Sequence, residues 1–109
     1  MKTNNLTNSV KNWDKDYSNI DITYTEDPKT PADVNMNVSY RLIHQLIKKY
    51  NPSAINILEV GCGSARNSMY LAKQGYKVTG LDYSNEAIRL AHANAKSEKL
   101  EIPLYQEDI

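Results

Sequence analysis

The sequence lacks the residues that build covalent cross-links and membrane spans. It has a single cysteine, Cys62, in 109 residues, so no internal disulfide can form. The chain starts with the polar stretch Met1 to Asn5, which does not have the pattern of a signal peptide. No apolar run approaches the ~20 residues that a membrane-spanning helix needs. Together these absences predict a soluble protein of the reducing cytoplasm.

An excess of charge of one sign is also absent. The 13 basic residues are balanced by 13 acidic residues, which argues against a nucleic-acid partner, because such partners usually bind a basic stripe. The two histidines, His44 and His92, have no metal-ligand spacing with each other or with Cys62. We therefore expect no metal, and a chain of this length forms one small domain at most.

Residues 1–37 have few aliphatic side chains and no sustained periodicity. We interpret them as a polar amino-terminal segment with one short helix around Val10 to Ser18. Two prolines and three acids in residues 26–33 indicate a turn or linker.

From Val38 onward the pattern alternates between helices and strands. Gly75 stands where a glycine commonly follows a helix, and Ser84 is a good N-cap. The first strand is apolar throughout, as expected of a strand buried on both faces. Pro103 lacks an N–H group and places the third strand at a sheet edge. The predicted helices cover residues 38–50, 64 or 65 to 74, and 84–96, and the predicted strands cover residues 54–60, 76–82 and 102–106.

Strands that alternate with helices form parallel βαβ units. Ligands of such sheets bind beyond the carboxyl ends of the strands. Three acids fall at those ends, Glu59, Asp82 and Asp108. The sequence therefore predicts an acidic rim at one end of an α/β sheet.

The glycine-rich stretch "EVGCGSAR" does not fit a dinucleotide or a P-loop site. Gly61 and Gly63 match the fingerprint G-x-G-x-x-G/A, but its last position, which must be small, is Arg66. Glu59 would also repel a pyrophosphate. No G-x-x-x-x-G-K-S/T run is present, so a P-loop is excluded.

The same rim suits a ligand with a cationic group. Glu59 offers negative charge beside a turn that allows close backbone approach, and the start of the next helix offers N–H groups to a carboxylate. Asp82 lies 21 residues after Gly61, near the separation at which an acid meets ribose hydroxyls. An amino acid joined to a ribose describes S-adenosylmethionine.

The motif "ILEVGCGSARNSMYLA" resembles the first motif of the class I, Rossmann-like S-adenosylmethionine-dependent methyltransferases. "VTGLDYS" and "LYQEDI" resemble the next two segments of that family, so the resemblance covers residues 55–109. It implies an α/β three-layer sandwich with a partial parallel sheet of strand order 3-2-1 and helices on both faces. "NWDKDYS", residues 12–18, looks like the amino-terminal stretch that covers the cofactor in many small-molecule members.

The resemblance also implies roles for individual residues. Glu59, Gly61 and Gly63 would hold the methionine end of the cofactor. We group Cys62 with them as a cofactor-binding residue, whose side chain is a small filler of the same turn. Asp82 would hold the ribose; because we place it on the rim, we expect its removal to leave the fold intact. The remaining implied contacts are Tyr83 beside the adenine, Asp108 and the amide of Ile109 reading the adenine, and Trp13 and Tyr17 in a lid.

Two departures from the family are visible. Ala65 replaces a third glycine that many members have, and only three of about seven family strands are present, so the domain stops before the fourth strand.

We therefore expect methyl transfer to a small-molecule acceptor, with this chain supplying the cofactor-binding half and being inactive alone. We also expect self-association through the edge of the first strand. No catalytic base is identified. The alternatives are a non-catalytic S-adenosylmethionine- or nucleoside-binding module, half of a two-chain assembly, and a NAD-type dehydrogenase, which Arg66 and Glu59 disfavour.

Overall fold

A computed structural model describes the backbone of residues 31–108 and the side chains of residues 39–108. The predicted helix at Val10 to Ser18 and the side chains of Trp13, Tyr17 and Ile109 lie outside these residues. Helices and strands alternate along the described chain, as predicted. The elements are α1 (Pro31–Tyr50), β1 (Asn56–Val60), α2 (Arg66–Lys73), β2 (Lys77–Asp82), α3 (Asn85–Ser97) and β3 (Leu104–Gln106).

The three strands form one parallel sheet in the order β1-β2-β3, which confirms the Rossmann-like α/β class and the predicted strand order. Glu59 pairs in register with Gly80, and Asp82 pairs with Gln106. The carboxyl ends of the three strands therefore meet at one edge of the sheet, where the sequence predicts the acidic rim.

The first helix begins earlier than predicted. It starts at Pro31, inside the stretch that we interpret as a linker, so that interpretation is wrong from Pro31 onward. A proline at the first helical position loses no hydrogen bond, and its fixed φ already suits a helix. Proline can thus mark the start of a helix as readily as the middle of a turn.

The predicted caps of the other helices are present. Gly75 follows α2 with a positive φ of 101°, which a residue with a Cβ rarely adopts. The Ser84 hydroxyl accepts a hydrogen bond from the Ala87 N–H at 3.1 Å and caps α3. Both helices therefore start or stop where a local sequence signal indicates.

β3 lies at one edge of the described sheet, as Pro103 predicts, but the proline does not face that edge. The Gly80 N–H donates to the Pro103 carbonyl at 2.9 Å, so the backbone of Pro103 faces β2 and not the outer edge. Since proline cannot donate in return, the paired strand begins only at Leu104. Pro103 shortens β3 from its amino end and does not protect the outer edge.

One face of the sheet carries the hydrophobic core. All three described helices contribute to it, through Tyr40 on α1, Met69 on α2 and Ile88 and Ala91 on α3, which cluster with Leu104 of β3. No described helix is long and apolar enough to cross a membrane.

The opposite face of the sheet is open within residues 39–108. Leu58, Val60 and Tyr105 are 60%, 58% and 52% exposed, and the strand register places them on this face with Leu81. The prediction that β1 is buried on both faces is therefore wrong for the described chain. The apolar composition of β1 shows what the strand can bury, whereas burial itself needs a covering element.

Candidate functional site

The turn after β1 has an unusual backbone that its sequence permits. Gly61 and Gly63 have φ values of 74° and 57°, in the left-handed region that glycine tolerates. The N–H groups of Gly61 and Cys62 both donate to the Leu81 carbonyl, at 2.8 and 2.9 Å. A Cβ on Gly61 would meet no atom within 4 Å, so space is open beside the turn. The turn is thus fixed to the neighbouring strand and leaves room for a ligand.

Ala65 occupies the position of a family glycine and keeps a glycine-like conformation. Its φ of 68° and ψ of 27° are left-handed, although its side chain is fully buried. Left-handed backbone costs a non-glycine residue roughly 1–2 kcal/mol. Ala65 also provides no side-chain cap for α2, so the first N–H groups of this helix are not occupied by a cap.

Asp82 joins two turns. Its Oδ2 accepts from the Gly63 N–H and its Oδ1 accepts from the Ser84 N–H, both at 2.9 Å. The residue is only 8% exposed, so the prediction that it lies on the rim without a role in the fold is wrong. A carboxylate has about four acceptor positions, so two remain for a ligand. Asp82 is therefore a structural residue as well as a candidate ribose ligand.

Glu59 is a partly buried carboxylate at the end of β1. The Ser68 hydroxyl, on α2, donates to its Oε1 at 3.0 Å. Burial raises the pKa of Glu59 above its ordinary value; the Ser68 hydrogen bond lowers this pKa and the nearby Asp82 raises it. Within residues 39–108, no basic side chain forms an ion pair with Glu59. This carboxylate therefore lacks the countercharge that a cationic ligand would supply.

The side chain of Cys62 points into the core. It is 7% exposed and belongs to the cluster that contains Leu104. Burial, reinforced by the charges of Asp82 and Glu59, raises the pKa of the Cys62 thiol to about 12. The thiol stays protonated at neutral pH. The side chain fills the turn from the side of the core, as the sequence suggests.

The end of β3 is tied to the same edge. The Glu107 N–H donates to the Asp82 carbonyl at 2.9 Å, and the Gln106 amide donates to the Tyr83 carbonyl at 3.0 Å. Asp108 follows and is exposed. The structure thus brings Asp82, Tyr83 and Asp108 to the edge that holds Glu59, whereas Ile109, Trp13 and Tyr17 lie outside the described residues.

Two further side chains near the turn have no obvious signal in the sequence. The Asn94 amide, on α3, donates to the Ser64 carbonyl at 3.1 Å and holds the turn from the helix side. The buried Oδ1 of Asn67, in the first turn of α2, has no hydrogen-bond partner among the described atoms. This oxygen can therefore accept a hydrogen bond from a donor outside the described residues.

The histidines are not part of this edge. His44 packs its ring against Tyr70 and Tyr76, 6.2 and 5.5 Å away, and His92 is exposed on α3. In the described part of the chain, no group of three potential ligands could hold a metal ion.

A groove of about 550 Å³ lies elsewhere on the molecule. Leu58, Thr79 and Pro103 are among its lining residues, so it follows the open sheet face toward the amino ends of the strands. The groove is therefore distinct from the polar edge formed by Glu59 and Asp82.

Comparison with known proteins identifies what this arrangement resembles. Residues 57–109 match a family model described as a methyltransferase domain. An uncharacterized methyltransferase of Schizosaccharomyces pombe is 45% identical over 53 residues, which are 49% of this chain and 37% of that protein.

Two crystal structures share the fold and part of the sequence. A protein of Methanosarcina mazei described as a SAM-dependent methyltransferase is 39% identical with a TM-score of 0.52, over 58% of this chain and 32% of that one. TehB of Haemophilus influenzae is 31% identical with a TM-score of 0.55, over 62% of this chain and 23% of that one. The chain thus spans well under half the length of each of these proteins.

Proposed function

We propose that this chain is part of a class I, Rossmann-like S-adenosylmethionine-dependent methyltransferase and that its acidic edge binds S-adenosylmethionine. The observation that supports this most strongly is the Glu59 carboxylate, which forms no ion pair within residues 39–108 and lies beside an open glycine turn, one strand away from Asp82. Glu59 suits an ammonium group and Asp82 suits a ribose, and S-adenosylmethionine carries both. The uncapped start of α2 suits the ligand carboxylate.

Each residue would contribute a separate part of the binding. Glu59 would pair with the ammonium group, and Gly61 would allow the ligand to approach the backbone. Asp82 would accept from ribose hydroxyls with the acceptor positions that Gly63 and Ser84 leave. Tyr83 and Asp108, tied to the same edge through β3, would contact the adenine.

When bound, S-adenosylmethionine supplies a methyl group on a positively charged sulfur, open to attack by a nucleophilic acceptor. The chain's own contribution would be to bind and align, and proximity supplies much of the rate of such a transfer. We propose a small molecule as acceptor, because the charge balance of the chain disfavours nucleic acid.

A lid role for Trp13 and Tyr17 is part of the proposal. Tyr40 of α1 stacks on Tyr70 at 5.6 Å, while His44, one turn later, contacts Tyr76 just before β2. Helix α1 therefore runs with its amino end toward the carboxyl ends of the strands. The amino end of α1, at Pro31, thus lies on the side that carries the acidic edge. Because Trp13 is the only tryptophan, a change in its fluorescence on ligand addition would support the lid.

Calorimetry with S-adenosylhomocysteine and with NAD tests the binding proposal. We expect S-adenosylhomocysteine to bind more tightly, because Glu59 and Arg66 both disfavour a pyrophosphate cofactor. Tighter binding of NAD would reject it.

A non-catalytic binding module remains a second candidate. The described edge offers no evident base, since Cys62 is buried and protonated and both histidines lie elsewhere. Transfer of a labelled methyl group to small-molecule acceptors separates the two functions. Binding without turnover, in the chain and in any longer form of it, would favour the module.

A further inference from the structure

Ser68 is a buried serine on α2 whose hydroxyl contacts Glu59. Ser68 is 0% exposed, and its hydroxyl donates to Glu59 Oε1 across the interface between α2 and β1. Serine is a modest helix former, and a buried position on α2 would more readily hold alanine. The hydroxyl therefore has a specific use at this position.

That use follows from the environment of the carboxylate. Burial raises the pKa of Glu59, and the negative charge of Asp82 raises it further. The Cys62 thiol, on the turn between them, is protonated and brings no charge. Of the groups acting on Glu59, the Ser68 hydroxyl is the one that lowers its pKa and so favours the ionised form.

We propose that Ser68 is a positioning residue, which holds Oε1 of the Glu59 carboxylate by its hydrogen bond and leaves the other carboxylate oxygen to pair with the ligand's ammonium group. The ligand part of this proposal rests on the proposed function. A serine side chain has a single χ angle, and α2 is anchored at its start by the Met69 N–H bond to the Ala65 carbonyl at 2.9 Å. The donor is thus held on a rigid element, as a precise binding site requires.

A ligand series tests the positioning role. We expect Ser68→Ala to weaken S-adenosylhomocysteine binding by about fivefold, the effect of one modest hydrogen bond. Binding of 5′-methylthioadenosine, which has no amino-acid group, should change less than about twofold on the same scale. Ser68→Thr, which keeps the hydroxyl, should restore much of the affinity. Ser97→Ala is the matched control, because it removes a serine hydroxyl that bonds to the Asn94 carbonyl at the far end of α3.

Two results would overturn the role of Ser68. Equal loss of affinity for both ligands would indicate a general structural effect. An undiminished effect of Ser68→Ala in a Glu59→Gln background would show that Ser68 does not act through the Glu59 carboxylate.

A measurement without ligand separates this inference from the proposed function. Carbon-13 NMR of labelled glutamate follows the titration of Glu59 directly. We expect Ser68→Ala to move its pKa upward, because the donor that favours the ionised form is removed, and Ser97→Ala to leave it unchanged. An unchanged pKa in Ser68→Ala would refute the inference even if the ligand binds. The expected shift in a chain that does not bind S-adenosylhomocysteine would support the contact and reject the proposed function.

Discussion

Replacement of Asp82 should affect stability as well as binding. Asp82→Ala removes the acceptor of two buried N–H groups, those of Gly63 and Ser84. Hydrogen bonds to charged groups contribute about 1.5–3 kcal/mol each, so the loss should be roughly 3–6 kcal/mol. The whole stability of a domain is about 5–15 kcal/mol, so this variant should be close to unfolding. Asp82→Asn keeps the shape and one acceptor oxygen, and should lose about half as much.

Urea denaturation followed by circular dichroism measures both variants. Glu101→Ala is the control, since Glu101 is an exposed acid three residues before β3 and has no assigned part in the binding edge. In the folded Asp82→Asn variant, S-adenosylhomocysteine binding should fall about tenfold or more. If Asp82→Ala unfolds within about 0.5 kcal/mol of the parent chain, the two hydrogen bonds do not stabilise the turns as described.

Four further outcomes follow from the structure. Glu59→Gln should stabilise the ligand-free chain at neutral pH and weaken S-adenosylhomocysteine binding. Because the folded-state pKa of Glu59 is raised, the parent chain loses stability as pH rises from the ordinary glutamate pKa through the pKa of the folded chain. The stability advantage of the variant, measured by urea denaturation, should therefore vanish at low pH. Gly80→Ala should destabilise by about 1–3 kcal/mol in the same assay, since its Cβ would lie 2.8 Å from a core leucine carbon; a neutral result would mean that the core adjusts freely. Cys62 should react with a thiol reagent only as fast as the chain unfolds, and fast labelling of the folded chain would contradict its burial. The edge and face of β1 that residues 39–108 leave uncovered should cause self-association in light scattering, reduced by Leu58→Lys, whereas a monomer at high concentration would refute this.

The sequence predicts the parts of this fold that depend on local signals. Ser84 and Gly75 cap helices because a hydroxyl acceptor and a positive φ are local requirements. The strand order follows from alternating elements and the family resemblance. Burial of both faces of β1 is a wrong prediction for residues 39–108, because an apolar strand does not show whether another element covers it. The start of α1 was also missed, since Pro31 has the same local signature in a turn and at a helix start.

The sequence predicts which residues belong to the candidate site but not which groups they contact. Glu59 and Asp82 could be named because acids at strand ends are rare enough to notice. Their partners could not be predicted. Ser68 is a common residue type, and Asp82 accepts from backbone N–H groups whose positions depend on how the two turns pack. Gly80 gave no signal either. Its role is to let Cys62 and Leu104 approach the backbone of β2, and only the packed structure shows it.

The hydrogen bond from Asn94 to Ser64 joins residues that are 30 positions apart, and the bond from Gly63 to Asp82 spans 19 positions. Neither can form while the first βα unit is on its own. The glycine turn therefore has all of its hydrogen bonds only when the second unit has docked. A destabilising change on α3, far from any ligand atom, would then loosen the turn through the folding equilibrium. The binding edge and the core thus form one cooperative unit.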